Sequence, residues 1–433
     1  MNKNVHGTLK KVLNTVKRVI FEKGRLIYYL NIPSYTKSVR AIEAKPKKEK
    51  INLAFMVQCP EIWITSNPIY EAALRDERFN VSIILVPEMS FAYYVFLQDV
   101  EYEKIYQFGH KTFGDKCIES YNPVTKEWLD IKTLDLDYVF IPRPYETYLP
   151  KQYRASAIRR FAKVCYVSYA FPILNDSHIL YNSHFVRNAN MIFCEQQHSF
   201  DYVCKRFART YKSQLQKFFY TGYPRFDMVE EHTGAEGKLW SKERSAKVKR
   251  IIWTPRWTVD PKLGGSNFFN YKDKFIEFAE NHGNVDFILR PHPMAFDNFI
   301  AQGLITEEEL QKYIERYQKS GNAVIDRTAE YLDTFYSSDV LVSDASSVTV
   351  DYLFTGNPVI YCPSVKESYG VPEEIMRCFY LAESFGDISR ILEEILNGKD
   401  TKKEIREKTV VALKRDGKIG ENIIGLIKKD YYK

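Results

Sequence analysis

Short apolar runs separated by helix-length stretches recur along this chain, and they recur in two sets. INLAFMV (51–57), NVSIILV (80–86), DYVFIP (137–142), KVCYVSYAF (163–171) and NMIFCE (190–195) form the first set. RIIWTP (250–255), VDFILRPHP (285–293), AVI (323–325), DVLVS (339–343) and PVIYC (358–362) form the second. Runs this short, rich in Val, Ile, Phe and Tyr, suit strands buried on both faces. The segments 183–189, 199–218, 271–283, 305–321 and 387–398 read as helices between them. The 305–321 segment carries its own boundary signals: Thr306 for an N-cap, acids in the first turn, and Gly321 at the close. Strand alternating with helix implies parallel sheets covered on both sides. The expectation is an α/β chain of two doubly wound, Rossmann-type domains facing across a cleft, residues 51–227 and 228–433, with a polar, charged crossing at 228–249.

Composition narrows the classes. A chain of 433 residues exceeds what one core usually serves, and 45% apolar residues exclude a disordered chain. Seven scattered cysteines with no C-x-x-C argue for a reducing compartment and against a disulfide framework or structural zinc. No run of about 18 apolar residues is present, so no membrane span is expected. With no secretory signal pattern, the expected location is cytoplasmic.

The charge is uneven. Residues 1–50 carry 13 Lys or Arg against 3 Asp or Glu, a net of +10, while the whole chain is +7. The rest is therefore slightly acidic. Leu9, Val12, Leu13, Val16, Val19 and Ile20 fall on one helical face, flanked by Lys10, Lys11, Lys17 and Arg18. That pattern suits a basic amphipathic helix on an anionic membrane surface, through residues 1–30. A helix docked on the protein body fits it too. Without a basic excess in the body, no nucleic-acid partner is expected.

In doubly wound sheets, ligands bind beyond the carboxyl ends of the strands. Four loops there are unusual: Thr221-Gly222-Tyr223-Pro224-Arg225, Thr254-Pro255-Arg256-Trp257, Arg290-Pro291-His292-Pro293 and Ser343-Asp344-Ala345-Ser346-Ser347. Three supply Arg or His, and the fourth supplies hydroxyls and backbone N–H groups ahead of a helix from Val348. Ser346 or Ser347 is expected to cap that helix. Two prolines hold Arg290 and His292 in place, and Arg offers a fork of donors to phosphate oxygens. Together the loops suit a phosphorylated ligand rather than a metal. Asp135-Leu136-Asp137 mimics a metal-binding D-x-D but precedes a strand. Asn80-Val81-Ser82 fits a glycosylation pattern without meaning in a cytosolic setting. No G-x-G-x-x-G or Walker A stretch supports a dinucleotide enzyme or P-loop kinase.

TGYPRFD, TPRW, LRPHP and SDASSVTVDYLFTGNPVIY occur in this order. They resemble the CDP-glycerol glycerophosphotransferase family, the teichoic-acid primases and polymerases of bacterial envelopes. The resemblance is specific over roughly residues 218–365. It implies a GT-B fold and a membrane-bound glycan acceptor. It also implies a CDP-polyol donor whose polyol phosphate passes to a hydroxyl as CMP leaves. By this resemblance Arg290, His292 and the 343–347 loop, with Ser343, Asp344, Ser346 and Ser347, would hold the donor pyrophosphate. Thr254 and Arg256 would sit nearby, with Tyr223 and Arg225 as further donor-side candidates. No cofactor or tightly bound metal is implied. The partners would be the nucleotide-activated polyol or sugar and a lipid-linked glycan, at the inner face of the bacterial membrane.

One motif departs. The family's Trp-His-Gly-Thr-Pro stretch carries its base, and its best counterpart here is Val167-Ser168-Tyr169-Ala170-Phe171-Pro172, without histidine. His178, His184 and His198 lie downstream, and His178 and His184 are the candidate bases. The departure keeps two other readings open. One is a GT-B glycosyltransferase using a nucleotide sugar in capsule or surface polysaccharide synthesis. The other is a non-catalytic donor-binding protein.

Overall fold

The computed structural model describes residues 26–433, apart from 93–94, 174–180, 229–231, 244, 246, 329–330, 366–371 and 415–416. The first sheet contains β1 (Ile51–Val57), β2 (Phe79–Leu85), β3 (Cys117–Glu119), β4 (Tyr138–Phe140), β5 (Lys163–Val167), β6 (Met191–Cys194) and β7 (Lys217–Tyr220). Their order is β7-β6-β5-β4-β1-β2-β3, and every pairing is parallel. The second sheet contains β8 (Lys249–Thr254), β9 (Val285–Leu289), β10 (Ala323–Ile325), β11 (Val340–Ser343), β12 (Val359–Tyr361) and β13 (Tyr380–Leu381). Its order, β10-β9-β8-β11-β12-β13, is likewise all parallel. Each sheet grows outward from a central strand and then restarts on that strand's other side. The reversal falls between β1 and β4 in one domain and between β8 and β11 in the other.

The expected double winding is therefore present in both halves. Every residue of β1 except Asn52 is buried, as are all of β5, β6, β9 and β11. Strands β3, β7 and β13 are not read from the sequence pattern. The segment 199–218, read as one helix, is two, Gln197–Arg206 and Ala208–Lys212, broken at Phe207. Gln214 then turns at φ 60° into β7. Thr306 does cap its helix: its side chain accepts the Glu309 N–H while the Glu309 carboxylate takes the Thr306 N–H.

The stretch read as a basic tail divides. Residues 1–25, with the amphipathic pattern from Leu9 to Ile20, lie outside the described residues. Residues 26–43 form a helix docked on the amino-terminal edge of the first sheet. Tyr28 and Thr210 share a hydroxyl hydrogen bond of 2.9 Å, and the Tyr35 hydroxyl donates to the Ala189 carbonyl at 2.9 Å. Leu26 and Leu30 stay exposed on its outer side.

The C-terminal helix, Ile419–Tyr431, leaves the second domain and packs against the Pro60–Arg75 helix of the first. Asp227 accepts the N–H groups of Ile419 and Gly420, at 3.0 and 2.7 Å, where a carboxylate complements the helix dipole. A Cβ on Gly420 would collide with the Pro68 carbonyl, so glycine permits the close approach. At the far end Asp430 is buried among Lys163, Lys217 and the Tyr138 hydroxyl. Burial pushes its carboxyl up, but these partners more than offset that and hold it below the usual range. Such a group stabilises the fold above the ordinary Asp pKa of about 3.9 and loses its contribution as the pH falls through the depressed value.

We expect Asp430→Asn to cost about 3 kcal/mol at pH 7, because two buried ammonium groups lose their counter-charge. Urea unfolding at pH 7 and at successively lower pH should show wild type approaching the variant below pH ~4.

Candidate functional site at the carboxyl edges of the two sheets

The reversal point of the second sheet lies between β8 and β11, where Thr254 pairs with Ser343. The TPRW and SDASS loops leave the sheet side by side there. Behind them Asp344, fully buried, organises both. Its carboxylate accepts the Arg256 N–H at 3.0 Å, the Asn267 N–H at 3.0 Å, the Ser266 hydroxyl at 3.1 Å and the Asn267 side-chain amide at 3.2 Å. Burial raises its pKa, and those donors oppose the rise. Thr254 and Ser343 share a hydroxyl hydrogen bond of 2.7 Å and are likewise closed off from solvent. Thr254, Ser343 and Asp344 thus brace the loops from inside, and their polar atoms are turned into the protein. Their adjacency in sequence to Arg256 and Ser346 concealed that difference in direction.

The outward residues are Arg256, His292, Ser346 and Ser347. Arg256 donates Nη1 to the Ala345 carbonyl and Nε to the Leu263 carbonyl, tying the two loops together. Gly264, at φ +93°, closes the Pro261–Leu263 turn, and a Cβ there would press on Arg256 Nε at 3.1 Å. Burial lowers the Arg256 pKa, with Asp344 opposing, and the group stays charged. Ser347 opens the Val348–Leu353 helix without the side-chain cap expected of it. The Ser346 and Ser347 hydroxyls are half-buried. The backbone N–H groups of Ala345, Ser346 and Ser347 have no backbone partner among the described residues.

His292 follows β9 on the same edge. Its Nδ1 accepts the Met294 N–H at 3.2 Å, so in the neutral ring Nε2 carries the proton. The ring keeps access to solvent but is crowded by protein, with Trp257 at a centroid distance of 6.3 Å. That crowding, and then the Arg256 charge, lower its pKa to about 4. Arg290, directly after β9, is held by the loop that follows β10. Its guanidinium is engaged by the buried Asp326 carboxylate, donates Nη2 to the Thr328 carbonyl at 2.8 Å, and lies over the Tyr331 ring. These contacts tie Arg290 to the loop after β10.

Tyr223 and Arg225 lie elsewhere, at the joint between the domains. Arg225 donates Nε to Thr65 Oγ1 at 2.7 Å and Nη2 to the Tyr169 carbonyl at 2.9 Å, both in the first domain. Its Nη1 donates to the Asp351 carboxylate and to the Tyr331 hydroxyl, each at 2.7 Å, in the second. Burial would push this guanidinium down, but Asp351 carries it above its ordinary value. Tyr223 is fully buried beside it. Asp351 and Tyr331 went unnoticed in the sequence. The available signal was an acid on the apolar face of VTVDYL, which needs a cation once buried.

On the first domain, Gln58 after β1 and Arg143 after β4 flank that sheet's own reversal point. Arg143 pairs with Glu88, donates Nε to Gln58 at 3.3 Å and lies over the Tyr148 ring at 4.6 Å. The Tyr145 and Tyr169 hydroxyls share a hydrogen bond of 3.1 Å. Tyr169 also meets the second domain through Arg225, which donates to its carbonyl while pairing with Asp351. Of the candidate bases, His178 lies outside the described residues. His184 begins the His184–Asn188 helix on this same edge, and its Nδ1 is 2.7 Å from the Glu146 carboxylate. His198 is exposed on the Gln197–Arg206 helix. Among the described residues, no group of three His, Cys, Asp or Glu could hold a metal ion, and no helix is long and apolar enough to cross a membrane.

Residues 186–418 match the model of the CDP-Glycerol:Poly(glycerophosphate) glycerophosphotransferase family. The chain is 24% identical over 172 residues to the minor teichoic acid biosynthesis protein GgaB of Bacillus subtilis (strain 168). That match covers 35% of this chain and 16% of the relative, so the chain spans only a small part of that protein's length. Among solved structures, the wall teichoic acid polymerase TagF aligns at TM-score 0.50 and 16% identity, covering 96% of this chain and 98% of that one. A UDP-bound structure of S. aureus MnaA aligns at TM-score 0.58 and 12% identity, covering 88% and 96%. UDP-GlcNAc 2-epimerase from Neisseria meningitidis bound to UDP-GlcNAc aligns at 0.58 and 13%, covering 88% and 100%. At these identities the structural likeness speaks for the GT-B-like fold alone.

We expect Arg225→Met to destabilise the chain by about 3–5 kcal/mol, because it leaves Asp351 buried and unpaired. Arg225→Met with Asp351→Leu should cost less than the two single changes added together, a coupling that denaturant titration of the four proteins will measure.

Proposed function

The chain belongs to the CDP-glycerol:poly(glycerophosphate) glycerophosphotransferase family, and on that premise we propose that it moves a polyol phosphate from a CDP-polyol to an envelope glycan. Glycerol phosphate is the first candidate for the group moved, a lipid-linked or polymeric glycan is the acceptor, and CMP is the product released. The observation that carries this reading is the makeup of the second sheet's rim. His292 Nε2–H and the hydroxyls and backbone N–H groups of Ser346 and Ser347 all present donors, with the Arg256 charge beside them. Asp344, the one carboxylate of these loops, is turned inward and saturated. Such an edge suits a pyrophosphate and repels nothing anionic.

In this reading the acceptor oxygen attacks the β-phosphorus, which bears the polyol, and the bond to the bridging oxygen breaks. CMP leaves with that electron pair. The donors on the rim are already oriented, so they stabilise the charge that gathers on the departing phosphate without reorganising. His292 acts here as a neutral hydrogen-bond donor, since the protein crowding its ring and the Arg256 charge hold it uncharged at neutral pH. Protein donors, rather than a resident metal, bear the charge. The enzyme would work as a peripheral protein at the inner membrane face, where a lipid-linked acceptor is presented.

Calorimetry with CDP-glycerol, CMP and UDP-GlcNAc on wild type and His292→Ala tests the reading. Selective binding of the cytidine ligands supports it, and preference for the uridine sugar overturns it. His292→Ala should lower kcat by about 10²-fold, the usual loss for one donor aimed at developing charge. Because the ring gains a proton only as the pH falls toward about 4, replacing His292 should leave any acidic limb of the rate profile between pH 5 and 8 in place.

A further inference from the structure

The transfer reading leaves one role unfilled, the group that takes the proton from the acceptor hydroxyl. Resting on that reading, we propose that His184, oriented by Glu146, is this general base. Tyr169, in the stretch that replaces the family's histidine motif, is a poor candidate, because burial pushes its phenol far above neutral pH. The loop that carries Tyr169 leaves β5 and runs on to His184. The histidine therefore comes from the same connection, at the same edge of the first sheet, some fifteen positions further along.

Its geometry is that of an oriented base. Glu146 stands in the loop after β4, and its side chain is only 11% exposed. Oε1 accepts the Ala155 N–H at 2.9 Å, which holds the carboxylate still, and Oε2 faces His184 Nδ1 at 2.7 Å. A carboxylate cannot donate once ionised, so Nδ1 carries the proton and Nε2 keeps its lone pair. The ring is 52% exposed, which leaves Nε2 open to a substrate. Asn188 Nδ2 stands 3.5 Å from it, at the limit of a hydrogen bond, while the same amide donates to the His184 carbonyl at 2.8 Å. An acceptor hydroxyl can replace so long a contact.

Two other carboxylates on this edge, among the described residues, are occupied. Glu88 is paired with Arg143. Glu195 is buried beneath Tyr181 and Ser199, whose hydroxyls donate to it. The charged group facing His184 is Glu146, from the β4 loop. On its own helix Arg187 turns away to the Asn182 carbonyl, at 2.8 Å. In the step proposed, the acceptor O–H bond breaks and its proton passes to His184 Nε2. The freed electron pair forms the bond to the β-phosphorus, and CMP takes the electron pair of the bond that breaks. The imidazolium, stabilised by Glu146, then returns its proton to solvent.

The test follows CMP release from CDP-glycerol by the full chain, with a short-chain alkyl glycerol phosphate as acceptor probe. His184→Gln should lower kcat by about 10²-fold or more. Donor KM should stay within about twofold and the melting temperature should be unchanged, while the acidic limb of the rate profile disappears. Glu146→Gln should lower kcat by about tenfold and shift that limb rather than erase it. If wild type turns over and His184→Gln retains kcat within about threefold, the base assignment fails while the transfer reading stands. If His184→Gln instead loses donor affinity and thermal stability together, the residue is structural and the proposal is overturned. If wild type releases no CMP from CDP-glycerol, the transfer reading fails, and the base falls with it.

Discussion

The geometry of this molecule depends on one buried guanidinium. Arg225 sits where the chain leaves the first domain and is gripped from both sides, by Thr65 and the Tyr169 carbonyl on one and by Asp351 and Tyr331 on the other. A buried charge is costly unless its donors are placed, so the domains meet where all four contacts to Arg225 form together. The apolar core continues through the same joint: Phe226, next to Arg225, stacks on Phe354 at a centroid distance of 3.8 Å. Asp227 then captures the start of the C-terminal helix, which returns to the first domain and ends at the Asp430 ion cluster. Three successive residues, Arg225, Phe226 and Asp227, thus set the angle at which the two sheet edges face each other.

What that angle presents is a division of labour. On the second domain, residues behind the rim hold one another, with Asp344 taking four donors and Thr254 bonded to Ser343. Residues in front keep donors outward. The outward atoms are placed by the inward ones, which is how a site on loops gains the precision of a site on strands. Asp326 and Thr328 hold Arg290 in place. On the first domain the rim is aromatic and paired: Tyr145 with Tyr169, Arg143 with Glu88, His184 with Glu146.

Much of this was legible from residue patterns. Most strands of both sheets were readable because strands buried on two faces are mostly apolar, so their runs stand out. The capping box at Thr306 was readable because it is closed within four residues. The loops after strands were readable as the ligand edge, since parallel topology places them there. Direction was not readable. Ser343 and Ser346 are three residues apart and chemically alike, yet one is sealed against Thr254 and the other is open. Ser347 looked like a cap and makes no cap hydrogen bond, because its backbone is already helical rather than extended as a capping residue's is. The helical spacing of 199–218 hid the break at Phe207 and the start of β7, since an apolar residue serves either structure.

The sequence by itself determined the fold class, the two doubly wound halves, the carboxyl-edge loops and the resemblance carried by them. Each of these is written in neighbours: a period, a cap, a proline, a motif of a few residues. The tertiary structure alone decided which polar residues are supports and which are free to meet a ligand. It also decided that Tyr223 and Arg225 join the domains, that residues 26–43 dock on the body, and that His184 has a carboxylate behind it. Those outcomes depend on partners far along the chain, such as Thr65 and Asp351 for Arg225, 160 and 126 residues away. A buried polar group must find its partner wherever the fold brings one, and spacing along the sequence carries no record of that meeting.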